Sequence, residues 1–399
     1  MANCQLTIER WQLTIDIMKI ALISPYHGGS HKAWADGFAQ HSTHDVQPLT
    51  LPDRFWKWRM HGGGVTLARQ FLDTSWQPDL ILATDMLDLS SFMALTRSRT
   101  AHLPAVLYMH ENQLTYPLPT DSTTGPMRRQ LGERDQHYAF INYVSMLTAN
   151  QVLFNSNYHQ RSFFDALPNL LKHFPEYNEL ESIPELKEKS AVLPVGVDFD
   201  RLAIQSNPQP SSSTTPLIVW NQRWEYDKNP ELFFEILFQI ADEGVPFRLA
   251  LCGQEYGKRP LLFTQAIEQL SSQIIHVGHA DLNQYRQLLW QAEVTISTAH
   301  HEFFGISILE AIYCHTFPIL PHRLSYPALL PSSFHKHCLY KEKDALLQRV
   351  RWALTEREQA RKIAAELATA VTPYAWQTIA QLYDHLLTQL VRHNKQFKV

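Results

Sequence analysis

The sequence predicts an α/β protein of two Rossmann-like domains that face each other across a cleft. Short apolar runs alternate with longer segments of helical spacing, a pattern typical of a parallel sheet covered by helices on both faces. The alternation stops at a stretch rich in Pro, Ser and Thr, over 205–216, and then begins again. With 399 residues, 45% of them hydrophobic, the chain is long enough to build a core in each half.

The first domain is predicted over 18–204. Its strands are predicted at 19–24, 79–84, 104–109, 151–155 and 190–195, and two of its helices at 30–41 and 136–149. Residues 1–17 contain charged Glu9, Arg10 and Asp16 and lack a continuous apolar core. We therefore expect a disordered extension there rather than a signal peptide.

The linker 205–216 leads into a second domain, predicted over 217–372. Its strands are predicted at 217–220, 247–252, 274–277 and 293–297, and its helices near 230–243, 259–272 and 281–291. The final segment, 373–399, contains a strong helix at 374–392 and is a candidate to pack back on the first domain. Ligands of open α/β sheets bind at the carboxyl ends of the strands, so loops from both halves should line the cleft.

The composition narrows the class of protein. A net charge of −4 disfavours a general nucleic-acid binder but leaves room for a local basic patch. The four cysteines, Cys4, Cys252, Cys314 and Cys338, form no C-x-x-C pair, which favours reduced thiols in a cytoplasmic protein. The chain contains no run of ~18 apolar residues, so no membrane-spanning helix is predicted. The chain also lacks G-x-G-x-x-G and P-loop motifs, which weighs against a dinucleotide oxidoreductase and a P-loop kinase.

The strongest motif is the segment 298–312, which reads TAHHEFFGISILEAI. A helix that opens at Gly305 presents free amide groups and the positive end of its dipole, which suit a diphosphate. Glu302 in the preceding loop is placed to reach a sugar, and Glu310 to accept hydrogen bonds from ribose hydroxyls. Phe304 and Ile306, on either side of Gly305, are assigned to the same donor site. The structural alternative makes Glu302 a helix-terminal charge and Glu310 a solvated one.

A second motif, 220–230, reads WNQRWEYDKNP and follows the first strand of the second domain. Its cations, Arg223 and Lys228, are placed to neutralise a leaving diphosphate in the transition state. The alternative is a solvated basic turn that leads into a helix at Pro230.

Two motifs of the first domain also follow predicted strands. The paired glycines Gly28 and Gly29 in PYHGGSH allow backbone amides to approach a phosphate or a sugar, or simply form a tight turn. His110 in MHENQLTY is placed to hydrogen-bond a substrate hydroxyl, although a lone histidine is more often structural. Asn112 beside it is a candidate for acceptor binding.

The segment 52–60, PDRFWKWRM, interleaves cations with aromatic rings. Such a pattern suits unpaired RNA, because the rings stack bases while the cations meet phosphates. Its candidate acceptor residues are Arg54, Trp56, Lys57, Trp58 and Arg59. Nearby Arg128, Arg129 and Arg134 could extend the basic patch, and an amphipathic packing segment is the structural alternative. The histidines, including His300 and His301, show no H-E-x-x-H or other metal-ligand spacing.

The glutamate pair, together with Arg223 and Lys228, resembles retaining glycosyltransferases of the GT-B type, in group 1 and family 4. A narrower resemblance is to the tRNA-queuosine mannosyltransferase family. It covers Met18 to Pro331 and rests on PYHGGSHKAW, LPDRFWKWRM, HENQLTYP, FNSNYH, WNQRWEYDKNP and STAHHEFFGISILEAIYC. The resemblance implies transfer of mannose from GDP-mannose to the cyclopentenediol of queuosine in tRNA for Asp. The implied partners are thus a nucleotide sugar and a queuosine-bearing tRNA.

The resemblance also implies roles for individual residues. Arg223 and Lys228 would hold the donor diphosphate, Glu302 the transferred sugar and Glu310 the nucleotide ribose. Gly28 and Gly29 would approach the donor from the first domain, with His110 beside the acceptor. No metal would be needed, because cations and helix amides replace its charge, and same-face attack would need no protein nucleophile.

Three other interpretations remain open at this stage. The same chemistry could act on a lipid or glycan acceptor with another nucleotide sugar. A nucleotide-sugar epimerase or a phosphorylase could share the fold, and a non-catalytic RNA-binding module is the third alternative.

Overall fold

The computed structural model describes residues 17–117, 126–203, 214–253 and 260–396, except the side chains of 126–135 and 395–396. In these residues the chain forms two parallel six-stranded sheets, each covered by helices. The predicted extension, up to residue 16, and most of the predicted linker, 205–213, lie outside the described residues.

The first sheet has the strand order β2-β1-β3-β4-β5-β6, and every neighbouring pair is parallel. Its strands are β1 (Lys19–His27), β2 (Asp45–Pro52), β3 (Leu80–Thr84), β4 (Ala105–Met109), β5 (Gln151–Phe154) and β6 (Ser190–Val192). Every residue of β3 and β4 is buried, which explains why both read as uninterrupted apolar runs.

Six helices surround this sheet. They are α1 (Gly29–His41), α2 (Trp56–Asp73), α3 (Leu89–Thr100), α4 (Pro126–Thr148), α5 (Asn157–Leu171) and α6 (Ser182–Glu188). Side chains fix where two of them begin: the Asp88 carboxylate accepts from the Ser91 amide at 3.1 Å before α3, and the Ser156 hydroxyl accepts from the His159 amide at 3.1 Å before α5.

The second sheet has the strand order β12-β11-β10-β7-β8-β9, and every neighbouring pair is again parallel. Its strands are β7 (Leu217–Asn221), β8 (Arg248–Cys252), β9 (Ile274–Gly278), β10 (Val294–Ile296), β11 (Phe317–Pro321) and β12 (Leu339–Tyr340). Its helices are α7 (Pro230–Asp242), α8 (Leu261–Gln269), α9 (Leu282–Gln291), α10 (Ile306–Tyr313), α11 (Tyr326–Leu329), α12 (His335–Cys338), α13 (Lys343–Thr355) and α14 (Arg357–Ala370).

The last helix, α15 (Trp376–Gln396), packs against the first domain. The Trp34 indole on α1 donates to the Tyr383 hydroxyl at 2.9 Å, and Asp384 accepts from the Ser42 hydroxyl at 2.6 Å. A Cβ added at Gly37 would lie 2.1 Å from the ring of Trp376, so glycine is what allows α1 and α15 to approach this closely.

The predicted fold class, two parallel α/β domains, is confirmed. Of the described helices, none combines the length and the apolar character that crossing a membrane requires.

Candidate functional site

The loops at the carboxyl ends of the two sheets touch each other. After β4, the Pro117 carbonyl accepts from the Tyr226 hydroxyl, which follows β7, at 2.6 Å. After β5, the Ser156 hydroxyl donates to the Phe303 carbonyl, which follows β10, at 2.5 Å. Of the predicted site residues, His110, Arg223 and Glu302 lie on loops that follow strands at these edges, where ligands of open α/β sheets bind.

Lys228 is a buried cation whose ammonium group is surrounded by oxygen atoms. Its Nζ lies 3.1 Å from Asp227 and 3.3 Å from Glu302, and donates to the His301 carbonyl at 2.9 Å. Burial opposes its charge, but the carboxylates of Glu302 and Asp227 outweigh that effect and hold the pKa of Lys228 above its usual value. Lys228 is therefore a buried positive charge at neutral pH.

Arg223 is the more accessible of the two predicted diphosphate cations. Its guanidinium lies 3.1 Å from Glu225 and 3.6 Å from Asp227, and 43% of its side chain is exposed to solvent. It also donates to the Tyr116 hydroxyl of the first domain at 3.3 Å. Arg223 thus contacts both domains, and its exposed part can meet an incoming anion while Lys228 stays paired with the buried Asp227.

The Glu302 to Gly305 turn shapes the start of α10. Glu302 accepts from the Phe304 amide at 3.3 Å, and the Phe304 carbonyl accepts from the Ser325 hydroxyl at 2.9 Å. Gly305 has φ of +109°, a conformation that favours glycine, and a Cβ there would lie 3.1 Å from Leu329. The turn fixes where α10 begins, and the first amides of a helix are donors that suit an anion.

Glu310 is buried and fully engaged, which rules out the solvated alternative. One carboxylate oxygen pairs with Arg201, and the other accepts from the Tyr285 hydroxyl at 2.8 Å. Asn221 supports this arrangement by donating to the Tyr285 hydroxyl at 3.1 Å. Ile306 and Glu310 border a cavity of about 130 Å³ between the domains, which is also lined by Asp36, Gly37, Arg201 and Trp376.

His110 follows β4 and is oriented by Asp85. The Asp85 carboxylate accepts from the His110 amide at 2.9 Å and lies 3.2 Å from its ring Nδ1. That contact favours the tautomer with the proton on Nδ1, which leaves a lone pair on Nε2. The buried Nε2 has no hydrogen-bond partner among the described residues, and burial lowers the pKa of His110 to about 3. His110 is therefore a neutral hydrogen-bond acceptor.

Asp85, His31 and His110 form a buried trio that the sequence did not reveal. Their ligand atoms lie within 4.8 Å of one another, and among the described residues this is the group of three that could hold a metal ion. The three positions lie on separate elements, so no local spacing signals them. The trio belongs to the first domain, whereas Arg223 and Lys228 belong to the second.

The glycine pair and Asn112 have clear structural roles. A Cβ at Gly28 would lie 2.0 Å from the Asp53 carboxylate, and Gly29 has φ of +51°, so the turn itself requires glycine at both positions. Asn112 is buried and accepts from the Leu114 and Thr115 amides at 3.0 and 2.9 Å. It thereby holds the loop that presents Tyr116.

The aromatic and basic segment forms the entrance to α2. Trp56 packs against Tyr138 with ring centroids 5.2 Å apart, and the Lys57 ammonium lies 5.3 Å above the Trp56 ring. Arg59 donates to the Pro52 carbonyl at 3.2 Å. Exposed positions are Arg54, Phe55 at 78% and Trp58 at 64%. The side chains of Arg128, Arg129 and Arg134 lie outside the described residues.

Several side chains of the candidate site were not singled out from the sequence. Glu111 accepts from the Gln113 amide group at 3.0 Å, and burial, followed by the nearby Asp85 charge, raises its pKa. Asp227 lies in the motif WNQRWEYDKNP between Arg223 and Lys228, and that position could have indicated that it pairs with both cations. Arg201 and Tyr285 become neighbours of Glu310 only through the fold.

Two protein families match the chain. Residues 19–197 match the N-terminal region of tRNA-queuosine alpha-mannosyltransferase, and residues 203–368 match the glycosyl transferases of group 1. The tRNA-queuosine alpha-mannosyltransferase of Drosophila melanogaster is 32% identical over 338 residues, which cover 83% of this chain and 85% of that one.

A second relative matches about half of the chain. It is the GDP-mannose-dependent alpha-(1-6)-phosphatidylinositol dimannoside mannosyltransferase of Mycobacterium tuberculosis, at 24% identity over 48% of this chain and 50% of that one.

Solved structures show the fold. Sucrose-phosphate synthase from Thermosynechococcus elongatus superimposes with a TM-score of 0.70 at 14% identity, covering 94% of this chain and 100% of that one. HepE from Anabaena, in complex with UDP and glucose, gives a TM-score of 0.65 at 15% identity with the same coverages. The fold is therefore GT-B, and the chain is a hexosyltransferase that belongs to the tRNA-queuosine alpha-mannosyltransferase family.

Proposed function

We propose that the protein transfers mannose from GDP-mannose to the cyclopentenediol of queuosine in tRNA for Asp, with retention of anomeric configuration. The observation that carries this proposal is that two sets of functional groups lie on opposite sides of the cleft. Arg223, Lys228 and the α10 amides lie on one side, and the neutral His110 lies on the other. The tRNA-queuosine alpha-mannosyltransferase of Drosophila melanogaster supports the choice of acceptor, and the GDP-mannose-dependent relative of Mycobacterium tuberculosis supports the choice of donor.

The second domain would stabilise the leaving diphosphate. Arg223 is half-exposed and can turn toward a phosphate oxygen, while Lys228 adds a fixed charge beneath it. The amides at the start of α10 would donate hydrogen bonds to the other phosphate oxygens. These groups favour the transition state because charge on the leaving group grows as the sugar bond breaks.

The first domain would position the acceptor. His110 Nε2 can accept a hydrogen bond from a sugar or acceptor hydroxyl, because Asp85 holds the opposite ring nitrogen. The attack would come from the same face as the leaving phosphate, which itself takes the acceptor proton. No carboxylate nucleophile is assigned to the protein in this proposal.

The donor is tested with a panel of radiolabelled nucleotide sugars and queuosine-bearing tRNA. We expect label from GDP-mannose and none from UDP-glucose or UDP-galactose. The mycobacterial relative, a GDP-mannose-dependent mannosyltransferase, supports this expectation. Transfer from a UDP-sugar with none from GDP-mannose would overturn the donor assignment.

We also propose that turnover needs no metal, because Arg223, Lys228 and the helix amides supply the positive charge that a metal would otherwise provide. Activity should persist in excess EDTA. Complete loss that only an added divalent metal restores would contradict the proposal and would point to the trio of His31, Asp85 and His110.

The exposed rings at the start of α2 are proposed to stack on unpaired bases of the anticodon loop. Trp58→Ala should weaken tRNA binding by ~5- to 100-fold, the range expected for losing one stacked base, and leave the KM for the nucleotide sugar unchanged. A matched control is Tyr177→Ala, which removes another exposed aromatic ring. Equal tRNA affinity in the two variants would remove this surface from the acceptor site.

A further inference from the structure

A basic pocket lies in the second domain, outside the site described above. It has a volume of about 330 Å³ and is lined by His322, His335, Lys336, Lys341 and Arg349 together with two apolar residues, Leu339 and Ala345. None of these lining residues is acidic. Lys336 and Lys341 are exposed, so their ammonium groups are available at the mouth of the pocket.

Arg349 is a partly buried cation with no carboxylate partner among the described residues. It donates to the Ala345 and Lys336 carbonyls, each at 3.2 Å, while its buried Nε has no hydrogen-bond partner there. Burial lowers the pKa of Arg349, as expected for a cation whose charge is not compensated. Its neighbour on α13, Arg351, instead pairs with Glu243 at 2.7 Å. An unpaired, partly desolvated guanidinium favours an anion from outside the chain.

The pocket lies at the same edge of the sheet as the donor site. His322 follows β11 and Lys341 follows β12, as Arg223 follows β7 and Glu302 follows β10. The His322 amide donates to the Tyr340 carbonyl at 2.6 Å, which holds the two strand ends together. In the strand order, β12 stands three places from β7, or about 15 Å at the usual strand spacing. A polymer held in the cleft can reach that far, whereas the reacting sugar cannot.

We propose that this pocket binds a backbone phosphate of the RNA acceptor, a few nucleotides away from the modified base. The proposal rests on the proposed function, since it takes tRNA as the acceptor. It fits a protein whose net charge is −4, because such a chain must concentrate its phosphate contacts in a few local patches. A guanidinium flanked by two lysines is a suitable chemistry for a phosphate group.

The test is the double variant Lys336→Ala/Lys341→Ala, which leaves the backbone contacts of Arg349 in place. We expect the Kd for queuosine-bearing tRNA to rise by ~10-fold and the salt dependence of binding to become less steep by ~1–2 in log–log slope. The KM for the nucleotide sugar and kcat at saturating tRNA should stay at wild-type values. Lys172→Ala/Lys362→Ala, which removes two exposed lysines elsewhere, is the matched control and should behave as wild type.

Three results would overturn the proposal, and they can be told apart. Wild-type Kd and salt slope in the pocket variant, with wild-type transfer to tRNA intact, would refute the pocket alone. Capture of the wild type by phosphatidylglycerol vesicles that the variant loses, with tRNA binding unchanged, would assign the pocket to a lipid headgroup. Failure of the wild-type protein to bind tRNA at all would refute the proposed function and this inference with it.

Discussion

At the residue scale, His110 shows what a sequence can and cannot reveal about a site. Its place after an apolar strand predicted that it would face the cleft, and in the structure it follows β4 directly. Its protonation state could not be predicted, because that depends on burial and on Asp85, which is 25 positions away. The same holds for Glu310, whose partners Arg201 and Tyr285 come from separate elements.

Asp85→Asn should lower kcat while leaving the KM for the nucleotide sugar nearly unchanged. An asparagine amide can donate to His110 Nδ1 and so favour the opposite tautomer, which puts a proton on the Nε2 that should accept. We expect a loss of ~100-fold, the lower end of the range for a positioned acid or base. The exposed Asp242 provides the control variant, Asp242→Asn. Wild-type kcat in Asp85→Asn would exclude Asp85 as a positioning residue.

Arg223→Ala should lower kcat/KM by ~100-fold or more, through loss of a charge that stabilises the leaving diphosphate. Lys228→Ala should do the same but would also remove the buried cation beside Asp227 and Glu302, so its protein is expected to be less stable. Arg97→Ala, which removes an exposed guanidinium on α3, is the control for Arg223→Ala. Steady-state kinetics at wild-type level in both cleft variants would refute the donor-site assignment.

Glu111→Gln should make the protein more stable at high pH. Burial raises the folded-state pKa of Glu111, so its favourable contribution is full below the unfolded pKa and is lost as pH rises through the folded pKa. The neutral glutamine avoids that loss. The Tm of the variant should exceed that of the wild type by roughly one or two degrees at pH 8 and match it near pH 4. The opposite trend with pH in thermal unfolding would contradict the raised pKa.

At the element scale, strands that read as continuous apolar runs could be predicted, and elements that lack such a run or are interrupted by prolines or glycines could not. β2 is an edge strand with only Leu51 buried, so it shows no apolar run, and β11 has a proline at positions 318 and 321 that argues against a strand. α2 contains three successive glycines, which obscure its helical pattern. Two of them are needed for close packing: a Cβ at Gly63 would lie 2.7 Å from Pro25, and one at Gly64 would lie 3.0 Å from the Asp88 carbonyl.

The contact between α15 and the first domain should contribute measurably to stability. Buried Asp384 accepts from the Ser42 hydroxyl and from both the amide and the hydroxyl of Thr43, at 2.6 to 2.8 Å. Asp384→Asn loses at least one charge-assisted hydrogen bond and should lower the free energy of unfolding by ~1–3 kcal/mol. The exposed Asp344→Asn on α13 serves as control. Identical Tm values for the two variants would show that this contact adds nothing.

At the scale of the whole molecule, two parallel sheets with facing carboxyl edges bring together groups that neither domain provides alone. Arg223 of the second domain reaches Tyr116 of the first, and Ser156 of the first reaches Phe303 of the second. The alternation of apolar runs predicted both sheets, but not which loops would meet. The proposed donor site in one domain and the proposed acceptor-side histidine in the other fit transfer between two substrates rather than chemistry on one.

The central claim is tested most directly by comparing two forms of one acceptor. Purified tRNA for Asp, carrying either queuosine or guanine at the same anticodon position, is incubated with the protein and labelled GDP-mannose. The modified nucleoside is then identified by mass spectrometry. We expect mannose on the queuosine form and none on the guanine form, because the cyclopentenediol supplies the accepting hydroxyl. Equal labelling of both forms, or no labelling of the queuosine form, would contradict the proposed function.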